Sequence, residues 1–276
     1  MKTCVDPVRE ITDEEAAAFR RDGWVLLPRY VDTDAVRAMA DFLVEHMGTD
    51  GAQVPDAAAA QNTRYFDAGA WRDWRFLARD GNVEPFHRVS MSRSMGRNAQ
   101  RLLGREIGIH LGLDGALVKL PEQGEQRSTA TDWHQDWPNL SRDRIGFITF
   151  WVALQDVPPE RGALRFLTGS HLEGPLGRSL RSDIDLVSQY PSLTEEFDVS
   201  PPLHFRAGDA TVHHGMMVHS ATPNLTEEPR WAWAMGCFPG DVRYTGARFA
   251  DTDDLGLEPG ARLGDHPRFV RMTEDA

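Results

Sequence analysis

A mainly β fold, two packed sheets flanked by helices, is what the sequence predicts, and three observations carry it. From about residue 107 onward, short apolar runs recur between Gly and Pro, the pattern of closely spaced strands in a sandwich or barrel. Ahead of that point, apolar residues recur at helical spacing. The length, 276 residues, is enough to bury one sizeable core. The expected organisation is therefore a single domain over 1–276. It comprises a helical N-terminal portion with the first strand at 1–105, a strand-rich core at 106–240 and a C-terminal extension at 241–276.

Taken in order, Thr12 is placed to cap a helix over 12–22, with Glu15 three residues on as in a capping box. Gly23-Trp24-Val25-Leu26-Leu27-Pro28 reads as a short buried strand. Val36, Met39, Ala40, Leu43 and Val44 share one face of a second helix over 34–47. Residues 50–62 read as an alanine-rich surface loop, and 65–104, rich in aromatic residues and arginine, hold a helix near 95–103. Strands follow at 108–111, 116–120, 145–154, 163–167, 210–213 and 230–237. The acidic stretch 171–200 interrupts them and reads as an active-site lid or insertion.

Composition narrows the function classes. With 41% hydrophobic and 26% charged residues, the chain falls among soluble globular proteins. No apolar run approaches the roughly 20 residues needed to cross a bilayer. Residues 1–7 lack the apolar core of a secretory signal, so the expected compartment is the cytoplasm. A net charge of −12 argues against nucleic acid as a partner, because phosphate contacts need clustered cations. The expected partner is a small-molecule substrate, and the expected state a monomer or weak homodimer. Cys4 and Cys237 supply neither a disulfide framework nor a thiolate cluster, so any metal site must use histidine and carboxylate. Lys2 and Lys119 are the only lysines, which singles out the internal Lys119.

The stretch Thr131-Asp132-Trp133-His134-Gln135-Asp136-Trp137 carries the chemistry. On an extended segment, His134 and Asp136 point the same way and can grip one ion. One more histidine would complete a 2-His-1-carboxylate triad, which leaves open positions on Fe(II) for a co-substrate and dioxygen. Downstream, His213, His214 and His219 compete for that place. His219 is preferred because Arg230 follows eleven residues later, across a turn at Pro223-Asn224. Two neighbouring antiparallel strands joined by that turn would set His219 on the metal and Arg230 deeper in the same cavity. A guanidinium there can clamp a carboxylate through two parallel hydrogen bonds.

These pieces, in this order, resemble the phytanoyl-CoA dioxygenase family of Fe(II)/2-oxoglutarate-dependent oxygenases over nearly the whole chain. Phe19-Arg20-Arg21-Asp22-Gly23-Trp24-Val25-Leu26-Leu27-Pro28 resembles its N-terminal helix, glycine and strand, and Lys119-Leu120-Pro121 its lysine–proline strand. His134-Gln135-Asp136 matches the metal motif. Gly162-Ala163-Leu164-Arg165 and Gly169-Ser170-His171 resemble a hairpin and turn, and Gly208-Asp209, His219, Pro223-Asn224 and Arg230 match the distal half. The resemblance implies a double-stranded β-helix, or jelly roll, with iron on His134, Asp136 and His219. It also implies that 2-oxoglutarate chelates the iron through its C1 carboxylate and C2 ketone and pairs with Arg230 at its far end. Gln135, Trp151 and Lys119 match co-substrate positions, and Thr149, on the Trp151 face of its strand, could add a hydroxyl. A serine found in some relatives two residues past the distal histidine is Ala221 here. A bend at Pro138 could bring Trp137 to substrate, and Asp132, on the ligand face, is a second substrate candidate.

The reaction so implied consumes dioxygen and 2-oxoglutarate, yields succinate and carbon dioxide, and takes a hydrogen atom from a C–H bond. Related halogenases replace the carboxylate with a small residue so that chloride can bind; this chain keeps Asp136. Hydroxylation, cyclisation, epimerisation or desaturation of a bacterial secondary metabolite is the expected outcome. The competing readings are a metal-dependent cupin-type isomerase, which has no evident need of Arg230 at this spacing, and a non-catalytic module with a degenerate site.

Overall fold

The structure, a computed structural model, describes residues 6–56, 63–67, 71–79, 83–122, 129–178 and 185–273. Parts of the expected loop (57–62) and lid (179–184), and Cys4, lie outside the described residues.

Thr12 caps α1 (Asp13–Asp22): its hydroxyl accepts from Glu15 N, and Glu15 returns the bond to Thr12 N, so two end donors of the helix are satisfied. Gly23 ends α1 in the left-handed conformation at φ 79°, where a Cβ would run into His171 and Met217. The chain then enters β1 (Trp24–Leu27) and α2 (Thr33–Met47), which buries Val36, Met39 and Leu43 on one face. Next come β2 (Arg64–Asp67), β3 (Trp71–Arg75), α3 (Glu84–Ser90) and α4 (Arg93–Leu103). The core strands are β4 (Ile109–Lys119), β5 (Thr131–His134), β6 (Ile148–Ala153) and β7 (Leu164–Phe166). Two short helices, α5 (Leu186–Gln189) and α6 (Leu193–Glu196), lie within the expected lid. β8 (Ala210–His214), β9 (His219–Ala221) and β10 (Arg230–Pro239) complete the order.

All strand pairs are antiparallel. Seven strands form one sheet in the order β1-β8-β6-β10-β4-β3-β2, and three form a second in the order β5-β9-β7. Alternation along each strand divides the large sheet's side chains between two faces. Ile148, Phe150 and Val152 of β6 pack with Phe19, Met39, Phe86 and Met95 of the helices. Trp151 and Ala153 face the other way and pack with Leu164, Phe166 and Ala221 of the small sheet. The layers are thus helices, large sheet, small sheet, the jelly-roll architecture expected, with the interior between the two sheets left open at its centre.

Three expectations change. The separate strands at 108–111 and 116–120 are one strand, β4. Glycines 112 and 115 do not break it: the irregularity is taken up as a bulge within β4, where Gly112 and Leu113 stand opposite Gly236 between Met235 and Cys237. The region 65–104 holds two strands and a further helix beyond the one expected. His219 and Arg230 do not sit on neighbouring strands: β9 pairs with β5 and β7, and β10 with β4 and β6. The turn between them carries the chain from one sheet to the other, so the two residues reach the interior from opposite walls.

Candidate active site

A cavity between the sheets is lined by His134, Asp136 and His219, by Arg230, Lys119 and Trp151, and by Trp71, Asp73 and Arg75 of β3 together with Phe249. One ligand atom from each of the first three lies within 4.8 Å of the others, a grouping that fits a single ion. β5 pairs with β9 so that His134 stands opposite His219, with ring centroids 4.2 Å apart. Asp136 arrives by another route than strand alternation. β5 stops at His134, and Asp136 takes a helical conformation (φ −74°, ψ −51°) before the 3-10 turn Trp137–Asn139. The turn swings its carboxylate back, setting Oδ1 3.7 Å from His134 Nε2 and 3.8 Å from His219 Nε2.

Each imidazole is fixed by its own backbone. His134 Nδ1 donates to Asp132 O at 2.7 Å, and His219 Nδ1 to Met217 O at 2.9 Å. A carbonyl can only accept, so each Nε2 presents a lone pair to the shared centre. Asp136 Oδ2 is occupied in turn: Thr149 Oγ1 donates to it at 2.7 Å, and His213 Nε2 lies 3.3 Å away. One carboxylate oxygen is held by protein, and the other is free for the ion. Burial depresses both ligand histidines to about 4, which keeps them neutral and able to coordinate near pH 7. Burial works to raise Asp136, but His219 and His213 overcome it and hold its carboxyl well below the usual range.

At the Arg230 end the charge is one-sided. Arg230 is 4% exposed, and its Nε and Nη1 have no hydrogen-bond partner among the described residues; its guanidinium carbon stands 5.3 Å from the centre of the Trp151 ring. Burial lowers it only to about 10, so it stays cationic. Lys119 Nζ donates to Thr131 Oγ1 and Thr222 O. Burial, reinforced by Arg230 and Arg165, lowers it to about 6. A buried guanidinium without an anion is an unfavourable arrangement by itself; a carboxylate in the cavity completes it.

The remaining sequence candidates fall elsewhere. Gln135 is fully buried and spends its amide on structure, donating to Gly174 O and Met216 O and accepting from Leu176 N. It does not line the cavity. Thr149 does, but its hydroxyl serves Asp136. Trp137 donates its indole N–H to Arg144 O at 2.8 Å and packs with Phe147 and Phe238; it is not among the residues that line the cavity. Asp132 is exposed; a register shift in β5, three residues from Thr131 to His134 against two from Ala221 to His219, breaks the alternation that would have put it on the His134 face. Sequence reasoning missed His213 as a partner of Asp136. It also missed Trp71, Asp73 and Arg75, whose stretch Trp71-Arg72-Asp73-Trp74-Arg75 shows no apolar alternation.

A family model for "Phytanoyl-CoA dioxygenase (PhyH)" matches residues 19–232. The chain belongs to this family. Among its relatives, the phytanoyl-CoA dioxygenase 1 of Oryza sativa subsp. japonica is 25% identical over 253 residues, which cover 83% of this chain and 89% of the rice protein. Among solved structures, the epimerase SnoN in complex with Fe3+, alpha ketoglutarate and nogalamycin RO is 26% identical with a TM-score of 0.72. That match covers 95% of this chain and 98% of SnoN. The carbocyclase SnoK from nogalamycin biosynthesis shares the fold, at 24% identity and a TM-score of 0.73 over 95% of this chain and 97% of its own. The chain is accordingly a dioxygenase of the iron- and 2-oxoglutarate-dependent type, with dioxygen as co-substrate. No helix among the described residues is long and apolar enough to cross a membrane.

Proposed function

We propose that this dioxygenase binds iron through His134, Asp136 and His219, holds the far carboxylate of 2-oxoglutarate on Arg230 with Lys119 beside it, and oxidises a C–H bond of a small organic molecule. The carrying observation is Arg230: a buried, cationic guanidinium with unsatisfied donors, in the same cavity as the triad. Iron bound with 2-oxoglutarate and dioxygen supplies an oxidant that removes hydrogen from carbon, with succinate and carbon dioxide as co-products. The chain's residues do the rest. His134 and His219 offer fixed lone pairs, Thr149 and His213 hold Asp136 to a single free oxygen, and Trp151 and Leu164 wall the co-substrate from water.

Asp136 bears on the outcome, because its carboxylate occupies a position that a halide would need. Hydroxylation, cyclisation, epimerisation or desaturation is therefore favoured over halogenation. That SnoN and SnoK are named for an epimerase and a carbocyclase in nogalamycin biosynthesis supports a tailoring role on a bacterial secondary metabolite.

Calorimetric titration of 2-oxoglutarate into the anaerobic Fe(II) protein tests the reading. One equivalent is expected to bind, with a loss of about 100-fold in Arg230→Ala, the scale of a charge-assisted bidentate contact. Absence of keto-acid binding to the wild type would return the chain to the metal-dependent isomerases of related fold.

A further inference from the structure

The β3 side of the cavity carries a charged pair with no part in holding iron or the co-substrate. Alternation along β3 turns Trp71, Asp73 and Arg75 to one face, and all three line the cavity. Arg75 Nε and Nη2 each lie 2.5 Å from Asp73 Oδ2. Asp73 Oδ1 is left lying against Gly115, where a Cβ would come within 2.9 Å of it. The Arg75 guanidinium lies over the Phe66 ring, 4.7 Å from its centre, and the same cavity is lined by the apolar Leu113, Leu140, Phe147 and Phe249.

Such a pair is a poor stabiliser. Removing both charges from water costs about as much as their attraction returns, and burial already pushes the Asp73 carboxyl up against the opposing pull of Arg75. Convergent polar groups facing into a ligand cavity instead fix the orientation of what binds there.

We propose that Asp73 and Arg75 recognise a neutral hydroxyl group on a ring-bearing substrate of the reaction proposed above, on which this inference rests. The charge balance selects the group. An anion drawn to Arg75 meets the Asp73 carboxylate, and a cation drawn to Asp73 meets the guanidinium. A hydroxyl satisfies both, donating to Asp73 Oδ1 and accepting from the Arg75 N–H groups not turned to Asp73. Trp71 and Phe249 supply aromatic faces for the ring body. The strand register gives the scale, because Trp151, Ala234, Gly115 and Arg75 lie in one row across the sheet. That row spans three strand spacings, roughly 14 Å between backbones. Less the side chains at each end, it suits a body of about two fused rings. Ala234 and Gly115 floor this span with almost no side chain, which keeps it open.

The test uses three probes on the anaerobic Fe(II)–2-oxoglutarate enzyme: decahydronaphthalene bearing a hydroxyl, a carboxylate or an ammonium group. Affinities are read by quenching of tryptophan fluorescence. The wild type should prefer the alcohol by about tenfold or more, the scale of hydrogen bonds to charged groups. Asp73→Asn should shift preference toward the carboxylate and Arg75→Gln toward the ammonium, a pair of opposite reversals that general loss of structure does not produce. If either variant fails to fold by circular dichroism, Gly115→Ala takes its place; by displacing the Asp73 carboxylate it should remove the preference for the alcohol. Equal binding of the three probes, binding of none, or an unchanged preference in the variants would overturn the assignment. Titration of the wild type with 2-oxoglutarate alone separates the two readings. Uptake of the keto acid without the alcohol defeats this inference only, and uptake of neither defeats the oxygenase reading as well.

Discussion

At the scale of single residues, the decisive contacts are the two that occupy Asp136 Oδ2. With Thr149 at 2.7 Å and His213 at 3.3 Å, the carboxylate can neither rotate nor offer both oxygens to the ion. Thr149→Val keeps the shape and removes the donor. It is expected to weaken iron binding about tenfold, the lower end for loss of a group that orients a ligand, as read by competition with a chelator of known affinity. Thr149→Ser should restore it, and an unchanged affinity in the valine variant would remove Thr149 from this role. That His134, Asp136, His219 and Arg230 line one cavity was legible in the sequence, because spacing and residue type mark them as candidate ligands and a candidate clamp. Gln135 and Thr149 were not legible in the same way. Whether a polar side chain faces the cavity or the backbone depends on where β5 ends, and the turn that ends it is built by tertiary packing.

At the scale of elements, the site depends on how closely layers approach. Gly236 sits in β10 opposite Thr149, and a Cβ there would overlap the Phe147 ring. Gly236→Ala should therefore cost about 1–3 kcal/mol of stability, the usual range for overpacking, measured as a lower urea midpoint with an unchanged slope; a neutral result would show that Phe147 is free to move aside. Helices α1 and α2 were readable from caps and apolar spacing. β2 and β3 escaped because both faces of β3 carry charge. Asp73 and Arg75 face the cavity, and Arg72 on the other face pairs with Asp67, so the alternation that marks a half-buried strand is lost. The placement of His219 and Arg230 on one hairpin failed for a related reason: sequence separation shows that a turn exists, not that it crosses between sheets.

For the molecule as a whole, burial of the histidines sets a pH dependence. His134, His214 and His219 are held to about 4 against an ordinary 6.5, chiefly by burial. Between those values the unfolded chain takes up protons that the folded protein refuses, so folding stability falls as pH drops through 6.5 and levels off near 4. Asp136, held below its ordinary 3.8, adds a further loss at still lower pH. The urea midpoint of the metal-free protein should fall between pH 7 and pH 4 by the equivalent of a few kcal/mol, since each tenfold difference in proton affinity between folded and unfolded chain is worth about 1.4 kcal/mol. A midpoint constant across that range would mean the histidines are far better solvated than their burial indicates. The fold class was legible at this scale because strand count and punctuation survive local errors. The closure of the cavity was not, because it relies on residues far apart in the chain, including Trp71 and Phe249; two positions beyond Phe249, Asp251 is fully buried between Arg79 at 2.7 Å and Arg142 at 3.4 Å.

That last contact has a meaning in time as well as in space. Translation delivers His134, Asp136, His219 and Arg230 before it delivers Phe249, which lines the cavity, and Asp251, which ties the C-terminal segment to Arg79 after β3 and to Arg142 after the 3-10 turn. A ribosome that has just passed Gly236 has therefore made every residue that lines the cavity among those described, except Phe249. Vectorial synthesis thus delivers the candidate metal ligands and Arg230 before the last residue of the wall around them, and that residue, Phe249, lies two positions from an aspartate that the folded chain buries completely.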